Sequence, residues 1–457
     1  MYMIDNSFPL LRIYVDHWED YESIGDQAML LNALRRLELY LGSCQFVGPL
    51  SPNNKGKFQY PNLVTVVPPH WEIQRDAGWL RSLYARLARR LPSRLVPKFK
   101  PTVFLDFAIF IFSVKFFLYT LGFHSIFGEA FRSTLEELKT CDVFFTVGDC
   151  SLSDYWLEGV ALKSWLIQFV KRYVSVSMLS SQGMGPLTAP WARKRLVQSL
   201  STLDLLSFRD FSNSKALVEA GGLHGVPYKI VMDEAFSLPA ASHAAVWKVL
   251  QASGISQAEP FIIVNFRTTD FTQSTTSLLD KIADLLDRVT AATHKKVVFI
   301  PMSSGENYGR DYQAGMSLKG RMKHGDSLVV LQPPADVYLA KGIIGAAAYS
   351  IGISYHLHVF SLSQGHPTLI VYTGDYYRTK SNGLISFYAP PNRAIDFSEA
   401  SAEQVLNDVL AIEKDYASAC AGVMEVNKGI AEKNDWTIQT LKRLLEQKGL
   451  LPGWRVS

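Results

Sequence analysis

Short β-branched or apolar runs recur along this chain, each closed by Gly, Ser, Asp or Arg and separated from the next by a helix-length segment. Parallel strands need a crossover connection, and a helix is the usual one, so the alternation predicts parallel sheets covered by helices. In the first half the runs are 11–15 (LRIYV), 63–67 (LVTVV), 142–156 (DVFFTVGDCSLSDYW), 173–186 (YVSVSMLSSQGMGP), 203–210 (LDLLSFRD) and 229–238 (KIVMDEAFSL). In the second they are 261–270 (FIIVNFRTTD), 296–306 (KVVFIPMSSGE), 328–336 (LVVLQPPAD) and 353–372 (ISYHLHVFSLSQGHPTLIVY). A stretch richer in Ala, Ser and Gly, 239–260, separates them. With 457 residues the chain exceeds one ordinary core. The expected class is therefore α/β: two doubly wound, Rossmann-like domains facing a cleft, over 1–238 and 261–457, the second ending in a long helical segment.

In open α/β sheets, ligands bind beyond the carboxyl ends of the strands. Gly148, Asp149, Gln182, Gly183, Arg209, Asp210 and Asp233 all fall on that rim. Gly25 and Asp26 sit in the turn from the first strand to its helix. There, exposed amides face an anion or a sugar hydroxyl, or the two residues only make the turn and complement the helix dipole. Arg209 and Arg267 end strands and suit a phosphate or carboxylate clamp, with Arg378 and Lys380 adding to it. For each arginine a local salt bridge is the competing reading, with Asp210 beside Arg209 and Asp270 three residues after Arg267.

The run from 353 carries His356 and His358, which would face the same way on a strand. Three readings compete: metal ligands with His366 or Asp375, a proton donor or acceptor, or a core histidine bonded to backbone. No dinucleotide fingerprint, phosphate-loop lysine motif, H-E-x-x-H or G-x-S-x-G is present. Net charge is +4, too small to argue for nucleic acid. The four cysteines are scattered and form no C-x-x-C, which suits reduced thiols and a cytoplasmic setting. No secretory signal pattern opens the chain. One insertion, about 77–127, departs from the pattern. Residues 81–100 hold seven Lys or Arg and no acid, and 103–123 (VFLDFAIFIFSVKFFLYTLGF) is aromatic and apolar. It suits peripheral contact with an anionic membrane, a membrane span interrupted by Asp106 and Lys115, or a packed insertion.

Six segments stand in a familiar order: SIGDQAMLLNALRRL from 23, FTVGDCSLSD from 145, SQGMGP from 181, SFRDFSNSKALVEAGG from 207, DEAFSL from 233, and the run from 353. Together they resemble the polysaccharide pyruvyl transferases. The resemblance implies a fold of the glycosyltransferase B type and transfer of the enolpyruvyl group of phosphoenolpyruvate to a sugar of a cell-surface or exopolysaccharide, often lipid-linked on the cytosolic face. It leaves a pyruvate ketal and implies no cofactor beyond the donor. Gly25 and Asp26 fall on the family's Gly-Asp motif. Gln182, Gly183 and Gly185 fall on its Gln-Gly-x-Gly-Pro motif, Arg209 and Asp210 on its Arg-Asp, and Asp233 on its later Asp. His358 falls on the histidine of an Arg-Leu-His motif, but His356 replaces the arginine. The implied roles are donor binding by Arg209, Arg267 and His356, proton transfer by His358, and acceptance of the sugar hydroxyl proton by Asp26 or Asp149. A nucleotide-sugar glycosyltransferase and a non-catalytic glycan-binding homologue are the alternatives.

Overall fold

A computed structural model describes residues 10–17, 23–49, 60–89, 99, 101–211, 213–223, 225–266, 276–303 and 310–451. Arg267 lies outside the described residues. Two wholly parallel sheets form. The first holds β1 (Leu11–Asp16), β2 (Cys44–Pro49), β3 (Leu63–Val66), β4 (Val143–Val147), β5 (Val176–Gln182), β6 (Leu205–Phe208) and β7 (Tyr228–Ile230), in the order β3-β2-β1-β4-β5-β6-β7. The second holds β8 (Phe261–Asn265), β9 (Lys296–Phe299), β10 (Leu328–Val330), β11 (Tyr349–Gly352), β12 (Thr368–Tyr372) and β13 (Arg393–Asp396), in the order β10-β9-β8-β11-β12-β13. Successive strands are added on one side up to β1 and on the other from β4, and likewise around β8 and β11, and this switch in strand order opens a crevice at each point. Almost every strand residue in β1, β4, β5, β6, β8, β11 and β12 is buried, as helix-covered parallel strands require.

The division between domains is less simple than the linker suggests. Helix His243–Ala252, inside 239–260, packs on helix Val337–Gly345 of the second domain. The long last helix, Tyr416–Gln447, returns to the first domain and lies against β5, β6 and β7. There the Met232 amide donates to Asn434 Oδ1 at 2.8 Å, and Arg36 donates to the Asn434 carbonyl at 2.6 Å. A continuous apolar core runs from Ile24 and Leu34 through Phe236 to Ile343, Tyr355 and Ile438. Lys341, buried in the second domain, donates to the Phe236 carbonyl of the first at 2.6 Å. Burial pushes its pKa down to about 7, against the opposing pull of Asp233.

Two expectations are corrected here. The strand expected over 229–238 ends at Ile230, and Asp233 instead caps a short turn, Glu234–Ser237, by accepting from the Ala235 amide at 2.8 Å. His356 and His358 lie on helix Tyr355–Ser363, not on a strand. Residues two apart on a helix point to nearly opposite faces. A short apolar run with alternating polar residues fits both periods, and the chain has already ended β11 at Gly352.

Candidate active site

The strand ends place their following residues around one recess between the domains. β5 delivers Gln182, Gly183 and Gly185, β6 delivers Arg209, and β11 leads into Tyr355. Helix Asp375–Ile385 brings Lys380 from the other side. The recess is narrow, with a cavity volume of about 30 Å³, and is lined chiefly by Cys150, Gly183, Gly185, Arg209, Tyr355 and Lys380. Arg209 is almost fully buried. Its guanidinium pairs with the Asp233 carboxylate, donates to Cys150 Sγ at 2.6 Å and lies 4.8 Å from the Tyr355 ring. Burial opposes its charge, but Cys150, Tyr355 and Asp233 outweigh burial and hold the guanidinium protonated. Lys380 approaches the other way, 5.5 Å from the Tyr355 ring and 5.0 Å from that of Tyr376, whose hydroxyl accepts from it at 3.2 Å. Burial again opposes the charge, and Cys150 and Tyr376 hold its pKa up. One cation from each domain thus converges on a single aromatic ring.

Glycine is required where backbone and side chains crowd. A Cβ at Gly183 would come within 2.9 Å of Arg209 Nε. A Cβ at Gly25 would overlap the His356 ring, 1.8 Å from Nδ1. The start of helix Ile24–Leu41 therefore meets the start of helix Tyr355–Ser363. Ser23 caps the first, accepting from the Asp26 amide at 3.4 Å. His356 Nε2 lies 3.8 Å from Asp233 Oδ1, so Asp233 bridges Arg209 and His356.

Behind the first-domain wall, buried charges fix its shape. Asp149 Oδ1 accepts from the Ser151 amide at 2.8 Å and from Gln182 Nε2 at 2.9 Å, and its Oδ2 lies 3.9 Å from Lys163 Nζ. Lys163 is fully buried and pairs with Asp16 at the end of β1. Burial raises the Asp149 pKa, but Lys163, Gln182 and Ser151 outweigh it and lower the value overall. Gln182 also donates to the Asp149 carbonyl at 2.8 Å. Both residues brace the wall; neither lines the recess.

Several sequence-derived candidates land elsewhere. His358 is fully buried. Its Nε2 donates to the Gly352 carbonyl at 2.9 Å, and its Nδ1 meets the hydroxyls of Thr368 and Ser350. Burial lowers its pKa to about 4, so it is a neutral clamp between β11 and β12 and does not line the recess. These contacts give it a structural role, and the proton-transfer role expected of it draws no support from them. Arg378 pairs with Asp375 on the exposed face of its helix and does not line the recess. Asp210, by contrast, does line the recess, and it also caps the next helix, accepting from the Asn213 and Ser214 amides at 2.9 Å each. Sequence reasoning misses Cys150, Tyr355 and Tyr376. The first two directly flank the candidates Asp149 and His356, and position on the rim is the available signal. The metal reading of His356 with His366 or Asp375 finds no support among the described residues, which hold no cluster of three metal-ligating side chains.

The fold recurs in solved structures. An Anabaena HepE bound to UDP matches with a TM-score of 0.53 at 10% identity, over 96% of this chain and 100% of that one. An OtsA apo structure matches with a TM-score of 0.51 at 12% identity, over 95% and 99%. The N-terminal domain of a Candida albicans trehalose-6-phosphate phosphatase matches with a TM-score of 0.53 at 11% identity, over 96% and 99%. At such identities the likeness establishes the fold, which is of the glycosyltransferase B type. No curated protein matches the sequence. The polysaccharide pyruvyl transferase family model, by contrast, aligns with residues 24–376, from the glycine-bearing turn that meets His356 to the helix that carries Lys380. The protein thus belongs to the polysaccharide pyruvyl transferase family.

Proposed function

We propose that the protein transfers the enolpyruvyl group of phosphoenolpyruvate to a sugar of a polysaccharide, forming a pyruvate ketal and releasing phosphate. The observation that carries this reading is the convergence of Arg209 and Lys380, from opposite domains, on the Tyr355 ring. A small donor with a phosphate and a carboxylate matches two permanent cations on either side of one recess. Closing the domains on such a donor excludes water and strengthens both contacts.

The chemistry assigned to the residues then differs from the family motif. His356 stands where the resemblance leads one to expect arginine, beside Asp233 and at the head of its helix. His356 delivers a proton to the terminal enol carbon as a sugar hydroxyl adds to the neighbouring carbon. Asp26, next to Gly25 at the opposing helix start, accepts that hydroxyl's proton. Phosphate then leaves with its bonding electron pair, and a second sugar hydroxyl closes the ketal, returning its proton to His356. Incubation with phosphoenolpyruvate and a glycan acceptor is expected to release phosphate. His356→Ala should lower the rate roughly 10²–10⁴-fold, as loss of one acid–base group does. Phosphate release at the wild-type rate from His356→Ala would overturn this assignment.

A second reading rests on the likeness to HepE, which was solved with UDP. Under it, the two cations hold a nucleotide diphosphate and a sugar is transferred. Release of nucleotide diphosphate from a nucleotide sugar, with none of phosphate from phosphoenolpyruvate, would favour that reading over the first.

A further inference from the structure

The insertion between β3 and β4 folds as helices Trp71–Ala88 and Pro101–Thr120, packed on each other and on helix Leu157–Val170. The apolar helix has two unlike faces. Leu105, Ala108, Phe112 and Tyr119 point into the domain, where Phe112 packs edge-on to Trp165, 4.9 Å between ring centres. On the outer face, Val103, Phe107, Phe110, Val114 and Phe117 recur at alternating spacings of four and three, and Leu121 follows at the helix end. Each of these six is between 43% and 61% exposed. Trp79, Leu83 and Leu87 are exposed at four-residue spacing on the neighbouring helix. A soluble surface rarely keeps so long an apolar row uncovered.

The charges around this face choose its occupant. Its acids are engaged at the flanks: Asp76 accepts from Lys115 at 2.6 Å, and Asp106 pairs with Arg195 at 2.7 Å. Arg86 and Arg89 are exposed at the end of the row that Leu83 and Leu87 form. An apolar, phenylalanine-rich row with tryptophan at one side and arginine at its end matches the boundary between acyl chains and anionic headgroups. The same ion pairs, and the packing of the other face into the domain core, argue against a helix that crosses the bilayer, although Thr102–Thr120 is long and apolar enough by composition.

We infer that this helix pair is a peripheral membrane anchor that lays its outer face on an anionic lipid surface. One helix neighbours both the anchor and the loop that follows the recess wall. Trp191 and Arg195, beside Thr102 and Asp106, lie on helix Pro190–Leu200, and Arg193 of that helix donates to the Leu187 carbonyl at 3.0 Å, two residues after Gly185 of the recess wall. The inference does not depend on which donor the recess holds.

Co-sedimentation of the full chain with vesicles tests it. The wild type should bind vesicles of phosphatidylcholine mixed with phosphatidylglycerol, bind phosphatidylcholine alone far more weakly, and release in high salt. Replacing Phe107, Phe110 and Phe117 together by serine should weaken binding roughly tenfold or more. Arg86→Ala and Arg89→Ala should each weaken it roughly fivefold. All five side chains are exposed, and circular dichroism should show unchanged folding. Absence of wild-type binding to the anionic vesicles would overturn the inference. So would binding that the triple serine variant retains. A dimer of the lipid-free protein that the triple variant abolishes would also overturn it, because the face would then cover a second copy.

Discussion

The two walls of the recess bear their charge in different ways. On the first-domain wall, Arg209 is locked to the buried Asp233, and Asp149 behind it is held by Gln182, Ser151 and Lys163. On the second-domain wall, Lys380 sits among tyrosine rings and a hydroxyl. A guanidinium already bound to a carboxylate presents geometry more than net charge. A lysine in an aromatic cradle keeps its charge for whatever enters. The first wall is thus a scaffold whose cation is also structural, and the second supplies the adaptable charge.

Substitution at each wall tests that contrast. Arg209→Ala should have the largest effect, because it strands Asp233 in a fully buried position. A loss of roughly 3–5 kcal/mol is expected from urea unfolding, together with loss of transfer. A stable Arg209→Ala protein would show that the first wall is not structural. Lys380→Met should leave stability within about 1.5 kcal/mol, since a similar apolar volume fills the same cradle. Phosphate release, measured against phosphoenolpyruvate concentration, should fall about 10²-fold, as for loss of one preorganised electrostatic contact. Equal stability losses at the two positions would erase the distinction.

The third and smallest effect concerns pH. Burial lowers the pKa of His17 and His358 from 6.5 to about 4, and that of His70 to about 3. Below pH 6.5 the unfolded chain binds protons that these folded imidazoles refuse. Stability is therefore complete above that pH and falls as pH drops through 6.5 towards 4. The slope of unfolding free energy against pH should lessen in His358→Asn. An unchanged slope would mean that His358 is not the neutral clamp described.

Much of this architecture is legible in the amino-acid sequence. The alternation of strand runs and helices predicts the two parallel sheets, because burying both faces of a strand leaves a plain hydrophobic signature. Strand ends and motifs pick out Gly25, Gly183, Arg209, Asp233 and Lys380, and all five lie at or beside the cleft. The histidine pair is misread because a short apolar run satisfies two periods at once, and only the helix separates His356 from His358. Likewise β2 (CQFVGP) carries Gly and Pro and sends no clear strand signal, although parallel partners on both sides hold it.

The sequence by itself determined the class of fold, the rim on which a site must lie and the basic-apolar character of the insertion, since these follow from local periodicity and residue type. Tertiary structure alone decided which residues meet. Gly25 touches His356 across hundreds of positions of chain, Arg209 and Lys380 share one tyrosine ring, and the last helix closes the first domain. It also decided that the phenylalanines of the insertion divide between core and surface. Contacts between distant segments depend on how whole elements pack, and no local pattern encodes that.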